Sequence, residues 1–315
     1  MRALITGING FVGKHLAAFL INQGHQVWGT TRVVPHFKDN NNIHIIQSAL
    51  DDAEKMKSIL NQVLPDQIYH LAGQSNVRYS WENKSETFDA NVIKTINLFE
   101  AILQSDVRNH TRVLTIGSSE EYGLIEDLLS PISENTLLNP ISPYGISKAT
   151  VSMLSKHYNN QHSIKTIHVR PFNHIGPGQG LGFVTSDFAK QISEIEKGIK
   201  SPIIMVGNLD AKRDFTDVRD IVNAYYLLLE QGDFGKVYNV CSGVPVSIQK
   251  ILEKLISISF CSNIQIQKDE TKLRPSDFPL YYGDPQLIRK KTNWVPSISL
   301  EDSLSNIIQY WRNRI

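Results

Sequence analysis

The sequence predicts an α/β fold, a doubly wound parallel sheet joined to a smaller, mixed α/β domain, and three observations carry that expectation. Short β-rich runs alternate with helical patterns through the first half, as happens when parallel strands are joined by crossover helices. A glycine-rich stretch, Thr6-Gly7-Ile8-Asn9-Gly10-Phe11-Val12-Gly13, follows the first run without a gap. After Arg170 the alternation loosens into glycine and proline, and later elements are shorter and less regular.

Strands are expected at 3–6, 26–30, 43–47, 67–71, 113–117 and 166–169, with helices at 11–22, 53–63, 85–104 and 144–158 between them. In the third helix Val92, Ile96, Phe99 and Leu103 recur on one side at the helical period. Asn40-Asn41-Asn42 reads as a turn. Gly176-Pro177-Gly178-Gln179-Gly180 marks the first crossing into the smaller domain, and a return is expected near 217–229 and 237–240. Both domains are therefore discontinuous: 1–172 with 215–241, and 173–214 with 242–315. At 315 residues the chain exceeds the usual single domain.

Bulk properties narrow the function. Lys+Arg number 32 against 31 Asp+Glu, a net charge of +1, and no long run of one sign gives nucleic acid or a membrane surface a foothold. Cys241 and Cys261 are too few and too isolated for a disulfide framework or a zinc site, so buried free thiols and no bound metal are expected. The first residues enter a strand with no basic leader, and no segment nears ~18 uncharged apolar residues, which points to a soluble cytoplasmic protein.

In the glycine-rich stretch Gly7 permits a tight turn, Gly10 lets the backbone approach a pyrophosphate, and Gly13 allows close helix–strand packing in a Rossmann-type dinucleotide site. The spacing is Gly-x-x-Gly-x-x-Gly. NAD sites usually hold the ribose with a carboxylate at the end of the second strand; here the chain reads Gly29-Thr30-Thr31-Arg32. Arg32 offers a planar donor fork to a 2′-phosphate, which favours NADP(H), with NAD(H) as the alternative.

The reacting groups are expected in Gly117-Ser118-Ser119-Glu120-Glu121-Tyr122-Gly123 and Ser142-Pro143-Tyr144-Gly145-Ile146-Ser147-Lys148. Hydride delivery to a ketone builds negative charge on its oxygen, so the site must supply a proton and hydrogen bonds there. A hydroxyl at a strand end, with a tyrosine and a lysine one helical turn apart, meets that need. Lys148, at i+4 from Tyr144, brings a cation that favours the phenolate.

Taken together these residues resemble the extended short-chain dehydrogenase/reductase family over nearly the whole chain. Within it, Arg170-Pro171-Phe172-Asn173-His174-Ile175-Gly176-Pro177-Gly178-Gln179, Gly182-Phe183-Val184-Thr185, Arg213-Asp214-Phe215-Thr216-Asp217-Val218-Arg219-Asp220 and Leu273-Arg274-Pro275-Ser276 resemble the bacterial GDP-4-keto-6-deoxy-D-mannose reductases. The resemblance implies Tyr144 as acid, Lys148 as its tuner and a ligand of the nicotinamide ribose, and Ser118 as the group that orients the carbonyl oxygen. Asn91 would help to hold Lys148 through water.

The same resemblance implies cofactor contacts from Asn9, Phe11 and Val12 besides the three glycines, from Leu71, Ala72 and Gly73 after the fourth strand, and from the backbone at Pro171. Relatives carry an aspartate beside a Leu or Ile after the third strand; this chain has Ser48-Ala49-Leu50-Asp51, which leaves Ala49 and Leu50 with backbone contacts or hands the role to Asp51. On the substrate side it implies Ser118, Ser119, Glu120, Asn173, Val184 and Asn208, with Arg213 and Arg274 on the pyrophosphate and Asp277 on a ribose hydroxyl.

The activity implied is NAD(P)H-dependent reduction of the C4 ketone of a GDP-sugar to GDP-D-rhamnose for cell-surface polysaccharide, by a homodimer pairing through helices 85–104 and 144–158. Two alternatives stay open. A GDP-6-deoxy-talose-forming reductase differs only in the face that receives hydride. In GDP-mannose 4,6-dehydratases a glutamate in register with Glu120 removes a proton, but those enzymes continue Asn-His-Glu-Ser-Pro where this chain reads Asn173-His174-Ile175-Gly176-Pro177. A non-catalytic sensor would have no need of Ser118, Tyr144 and Lys148 together. His174 is expected to be a packed, hydrogen-bonded residue.

Overall fold

A computed structural model describes residues 1–33, 43–126, 129–261, 263–272 and 278–315. In chain order the first half comprises β1 (Arg2–Thr6), α1 (Phe11–Asn22), β2 (Gln26–Thr31), β3 (Ile43–Gln47), α2 (Ala53–Val63), β4 (Gln67–His70), α3 (Val77–Glu82), α4 (Lys84–Phe88), α5 (Lys94–Leu103), β5 (Arg112–Ile116), α6 (Pro143–His162) and β6 (Lys165–Pro171). Then follow β7 (Asn173–Ile175), α7 (Val184–Glu196), β8 (Ile203–Val206), β9 (Lys212–Asp217), α8 (Val218–Gln231), β10 (Val237–Val240), β11 (Pro245–Ser247), α9 (Ile248–Ile258), β12 (Gln265–Lys268), β13 (Leu280–Tyr281), α10 (Gln286–Thr292) and α11 (Leu300–Arg312).

Seven parallel strands form the main sheet in the order β10-β6-β5-β4-β1-β2-β3. Because side chains alternate along a strand, successive residues of β1 feed opposite cores. Ala3 and Ile5 pack under α1 and α8 with Leu16, Leu20 and Tyr225, while Leu4 packs under α2 and α5 with Met56, Leu60 and Phe99. The expected return at 237–240 is the seventh strand, beside β6. The chain order reverses between β4 and β1, the place where such sheets leave a crevice at the strand ends.

A smaller sheet, β11-β9-β13 with β7 also paired to β9, and a two-stranded pair of β8 and β12 cover the second core of α7, α9 and α11. Its centre is Ile192, Ile251, Leu255 and Ile307, all fully buried. Ile288 and Trp294 return to the first core, and the Trp294 indole donates to the Asp220 carbonyl oxygen at 3.0 Å. Removing a buried Trp of this kind typically costs ~3–5 kcal/mol. Thus the segment around α10, expected with the smaller domain, packs on the larger sheet.

The helix expected over 85–104 is present from Lys84 to Leu103, with a π-turn inside it. The π-turn, Asp89–Ile93, joins α4 to α5 without a break, and the buried Asn91 in it is held by contacts outside the helix: it accepts from Gln74 N–H at 2.8 Å and donates to Ser147 Oγ at 2.9 Å. Cys241 is buried as expected, whereas Cys261 is half-buried; both are free thiols. Among the described residues no helix is long and apolar enough to cross a membrane, and no group of His, Cys, Asp and Glu has a metal-binding arrangement.

Candidate active site

The glycine loop joins β1 to α1 in a conformation that only glycine fits. Gly7 has φ +74°, and a Cβ there would stand 2.9 Å from the Ala72 backbone. At Gly13 a Cβ would meet the carbonyl oxygens of Gly7 and Ile8 at 2.6 Å. α1 begins on Gly10 with no side-chain cap, so its first N–H groups face the crevice with the positive end of the helix dipole. Asn9 donates to Thr31 Oγ1 at 2.8 Å and Val33 O at 3.3 Å, tying the loop to the end of β2. Its Oδ1 is buried without a hydrogen-bond partner among the described residues, an acceptor that a ribose hydroxyl would satisfy. These features fit a dinucleotide: a cradle closed to any Cβ, a bare helix N-terminus and an unmet acceptor.

Around the cradle, Leu71 N–H reaches Thr6 O at 3.2 Å and Ala72 N–H reaches Thr6 Oγ1 at 3.2 Å. A Cβ on Gly73 would meet Asn91 Oδ1 at 2.7 Å. Leu50 is buried, with its carbonyl held by Asn97 at 2.9 Å, while the Ala49 carbonyl accepts from Ser48 Oγ at 3.0 Å. Asp51 pairs with Lys94 at 3.0 Å. Arg32 is exposed just beyond β2. The Phe11 ring turns to stack on His174, centroids 6.1 Å apart and planes within 8°. Val12 packs against the first core.

The reacting groups gather where β5 ends. Ser118 caps the 3-10 turn Ser119–Glu121, its Oγ accepting from Glu120 N–H at 3.2 Å; the hydroxyl proton is left to donate elsewhere. Gly145 brings α6 against this turn, since a Cβ there would meet the Glu120 carbonyl oxygen at 2.5 Å. Burial pushes the Tyr144 phenol well above its ordinary range, Glu120 and Glu121 push the same way, and a hydrogen bond with Ser118 opposes them. Ser119 is buried, and Glu120 accepts from Ser142 Oγ at 3.3 Å.

Lys148 stands beside Tyr144 on α6. Its Nζ donates to Ile116 O at 2.9 Å and lies 5.8 Å from the Tyr144 ring centroid, and burial pulls it down to about 8. On the other side His70 bridges Thr6 Oγ1 and Thr95 Oγ1 at 2.8 and 2.9 Å, held neutral by burial down to about 3.

Of the substrate-side residues, Asn173 is exposed on β7, opposite Phe215 of β9, and Pro171 ends β6 opposite Val240. Val184 opens α7. Asn208 Oδ1 accepts from Asp210 N–H at 3.0 Å. Arg213 donates to Phe278 O at 2.7 Å and Lys212 O at 2.8 Å. Arg219 is engaged by Asp217 through two 2.8 Å bonds. Arg274 and Asp277 lie outside the described residues. His174 is packed as expected, its ring nitrogen 3.2 Å from Phe172 O and its pKa lowered by burial.

Sequence reasoning missed the group under Ser118. Glu121, His168 and Arg170 are buried together, with Glu121 bonded to His168 Nε2 at 2.9 Å and to Arg170 Nε at 2.7 Å. The signal was present: His168 and Arg170 stand two residues apart on a central parallel strand, where both faces are covered and charge is costly without a partner.

Residues 4–307 match the GDP-mannose 4,6 dehydratase family. The chain is 33% identical over 314 residues to GDP-6-deoxy-D-mannose reductase of Pseudomonas aeruginosa, covering 100% of this chain and 98% of that protein. It is 29% identical to GDP-mannose 4,6-dehydratase of Vibrio cholerae, covering 97% and 92%. Its fold matches the structure of RMD from Pseudomonas aeruginosa complexed with NADPH, with a TM-score of 0.85, 30% identity, and coverage of 100% and 99%.

Proposed function

The chain belongs to the GDP-mannose 4,6 dehydratase family, within the extended short-chain dehydrogenases/reductases, and from that membership we propose that it reduces the C4 ketone of GDP-4-keto-6-deoxy-D-mannose to GDP-D-rhamnose, with NADPH as reductant. The observation that carries this is Ser118 and a protonated, buried Tyr144 converging at the end of β5 beside the glycine cradle, in a chain aligned end to end with a GDP-6-deoxy-D-mannose reductase.

Gly7, Asn9, Gly10 and Gly13 would hold the dinucleotide, Leu71, Ala72 and Gly73 would border it, and Arg32 would grip the 2′-phosphate. The cofactor, when bound, supplies the hydride. Tyr144 hands its proton to the sugar O4 and regains one from solvent; Ser118 donates a hydrogen bond to the same oxygen, lowering the cost of charge there. A phenol kept neutral by burial is the form reduction requires. Lys148 orients the nicotinamide ribose. Asn173, Val184, Asn208 and Arg213 border the sugar nucleotide, with Arg274 and Asp277 completing its grip.

Glu120 favours a second reading, dehydration of GDP-mannose, because it stands two residues after Ser118 where a C5 proton would be removed. The loop 173–179 weighs against that. We further propose a cytoplasmic homodimer joined through the outer faces of the helix 85–104, from its π-turn into α5, and of α6, where Ile93, Ile146 and Met153 are 48%, 42% and 65% exposed; the free thiols agree with a reducing compartment. The division into 1–172 with 215–241 and 173–214 with 242–315 stands as part of the same proposal, except for the segment around α10 through Trp294, which goes with the larger domain. Product analysis by NMR on synthetic keto sugar tests the stereochemistry: rhamnose is expected, and a talo product would overturn the facial assignment.

A further inference from the structure

The chemistry above leaves the ionic group beneath Ser118 without a part. Glu121 is fully buried, and three donors fix its carboxylate: Ser118 N–H and His168 Nε2, each 2.9 Å from Oε1, and Arg170 Nε, 2.7 Å from Oε2. Space is reserved for it, since a Cβ on Gly117 would lie 1.9 Å from Oε1. The donors are themselves held: His168 Nδ1 by Thr115 Oγ1 at 2.8 Å, and Arg170 by Tyr122 OH at 3.1 Å, which donates to Asn239 at 2.7 Å. Burial works against the Glu121 charge, and His168 and Arg170 outweigh it; Arg170 balances the charge while a neutral His168, lowered by burial, donates its N–H. Buried ion pairs are weak stabilisers compared with apolar packing, so this one invites a functional account.

Resting on the reductase reading, we propose that Glu121 is a positioning residue for reduction: it clamps the Ser118 backbone so that the hydroxyl faces the substrate carbonyl, and it holds one fixed negative charge under Tyr144 and Lys148. Lys148 Nζ sits on Ile116 O at 2.9 Å, next to Gly117, whose missing Cβ would lie 1.9 Å from Glu121 Oε1, so the charge is close to both neighbours. At Tyr144, burial raises the phenol first, Glu120 and Glu121 add to it, and Ser118 opposes; Tyr225 faces it as well. At Lys148, burial lowers the ammonium to about 8 and Glu121 resists the fall, while His70, neutral, faces it from β4. The carboxylate thus favours the charged form of Lys148, the cation that stands beside Tyr144.

The test is Glu121→Gln, read in two ways. In cofactor-free protein, competitive labelling with trace acetic anhydride followed by peptide mass spectrometry titrates Lys148. The midpoint is expected below the wild-type value, with labelling at neutral pH raised several-fold. In turnover with keto sugar and NADPH, kcat should fall on the order of 10-fold or more with the sugar KM unchanged, and the alkaline limb of the pH profile should move to lower pH. His168→Gln removes one partner of the carboxylate while leaving its charge and the Ser118 contact, so the Lys148 midpoint should stay.

An unmoved midpoint in Glu121→Gln, or an equal shift in His168→Gln, overturns the proposal. Should Glu121→Gln fail to fold, Glu121→Asp keeps the charge but draws it back from the Ser118 N–H, so kcat should fall while the Lys148 midpoint holds, and a wild-type kcat would overturn the proposal. A wild-type protein that consumes no NADPH overturns the reductase reading, and the claim on reduction with it, while the Lys148 titration still decides whether the charge acts.

Discussion

Replacing Gly13 by alanine should separate the dinucleotide cradle from general stability. The new Cβ would stand 2.6 Å from the carbonyl oxygens of Gly7 and Ile8 and 2.8 Å from the Ile8 carbonyl carbon, all backbone atoms with no side chain to swing aside. Ordinary contact begins near ~3.5 Å, so α1 must retreat by roughly 1 Å from β1. That displacement withdraws the N–H groups of the first turn from an anionic ligand. Losing one or two charge-assisted hydrogen bonds, each ~1.5–3 kcal/mol, weakens NADPH binding by on the order of 10–10⁴-fold.

Gly24→Ala is the control. Gly24 also has positive φ, +79°, but nothing lies within 4 Å of its missing Cβ. It should lower the melting temperature through backbone strain and leave the NADPH dissociation constant unchanged. Calorimetric titration of both variants, alongside thermal melts, decides the matter. A Gly13→Ala protein that binds NADPH within threefold of wild type, or a Gly24→Ala protein weakened as much, would refute the placement of the pyrophosphate on α1.

Tyr144→Phe removes the proton donor and little else, so turnover should fall by on the order of 10²-fold or more while the NADPH dissociation constant holds; near-normal kcat would reject Tyr144 as the acid. Arg32→Ala should weaken NADPH far more than NADH, because only NADPH carries a phosphate for the guanidinium, and equal losses would make Arg32 a surface residue. His70 predicts a pH dependence of stability. Its imidazole titrates near 6.5 when unfolded but only at about 3 when folded. The unfolded chain therefore takes up the proton first, and the contribution of His70 is complete above pH ~6.5 and declines as the pH falls toward ~3. Urea melts of wild type and His70→Gln across that range should show the slope flattened in the variant, and identical slopes would contradict it.

What could be read from the sequence was what local pattern controls. Several strands of the main sheet, β1, β3, β4 and β5, announce themselves because a short apolar run is followed by a helix, and the turn at Gly7 because glycine takes φ +74° without strain. The π-turn at Asn91 could not be read, since the contacts that hold it come from Gln74 and from Ser147 on α6. Glu121 was passed over for the same reason: its partners stand 47 and 49 residues away on β6. The smaller sheet is built partly from strands of three and two residues, β7 and β13, too short for any alternation to register. Lys148 illustrates a different limit, because its i+4 spacing from Tyr144 was right while the Ile116 carbonyl, which holds its Nζ, lies on β5.

The account stands or falls on the direction of the redox chemistry. A dehydratase uses and regenerates its oxidised cofactor within one cycle, whereas a reductase consumes one reduced cofactor for each sugar. The decisive measurement is NADPH oxidation followed at 340 nm against product formed from GDP-4-keto-6-deoxy-D-mannose, with GDP-mannose alone as the parallel reaction. Mole-for-mole oxidation with the keto sugar, no turnover of GDP-mannose, and a Glu120→Gln variant less impaired than Tyr144→Phe are predicted. Conversion of GDP-mannose to the keto sugar without added reductant, abolished by Glu120→Gln, would contradict the account and make the protein a dehydratase.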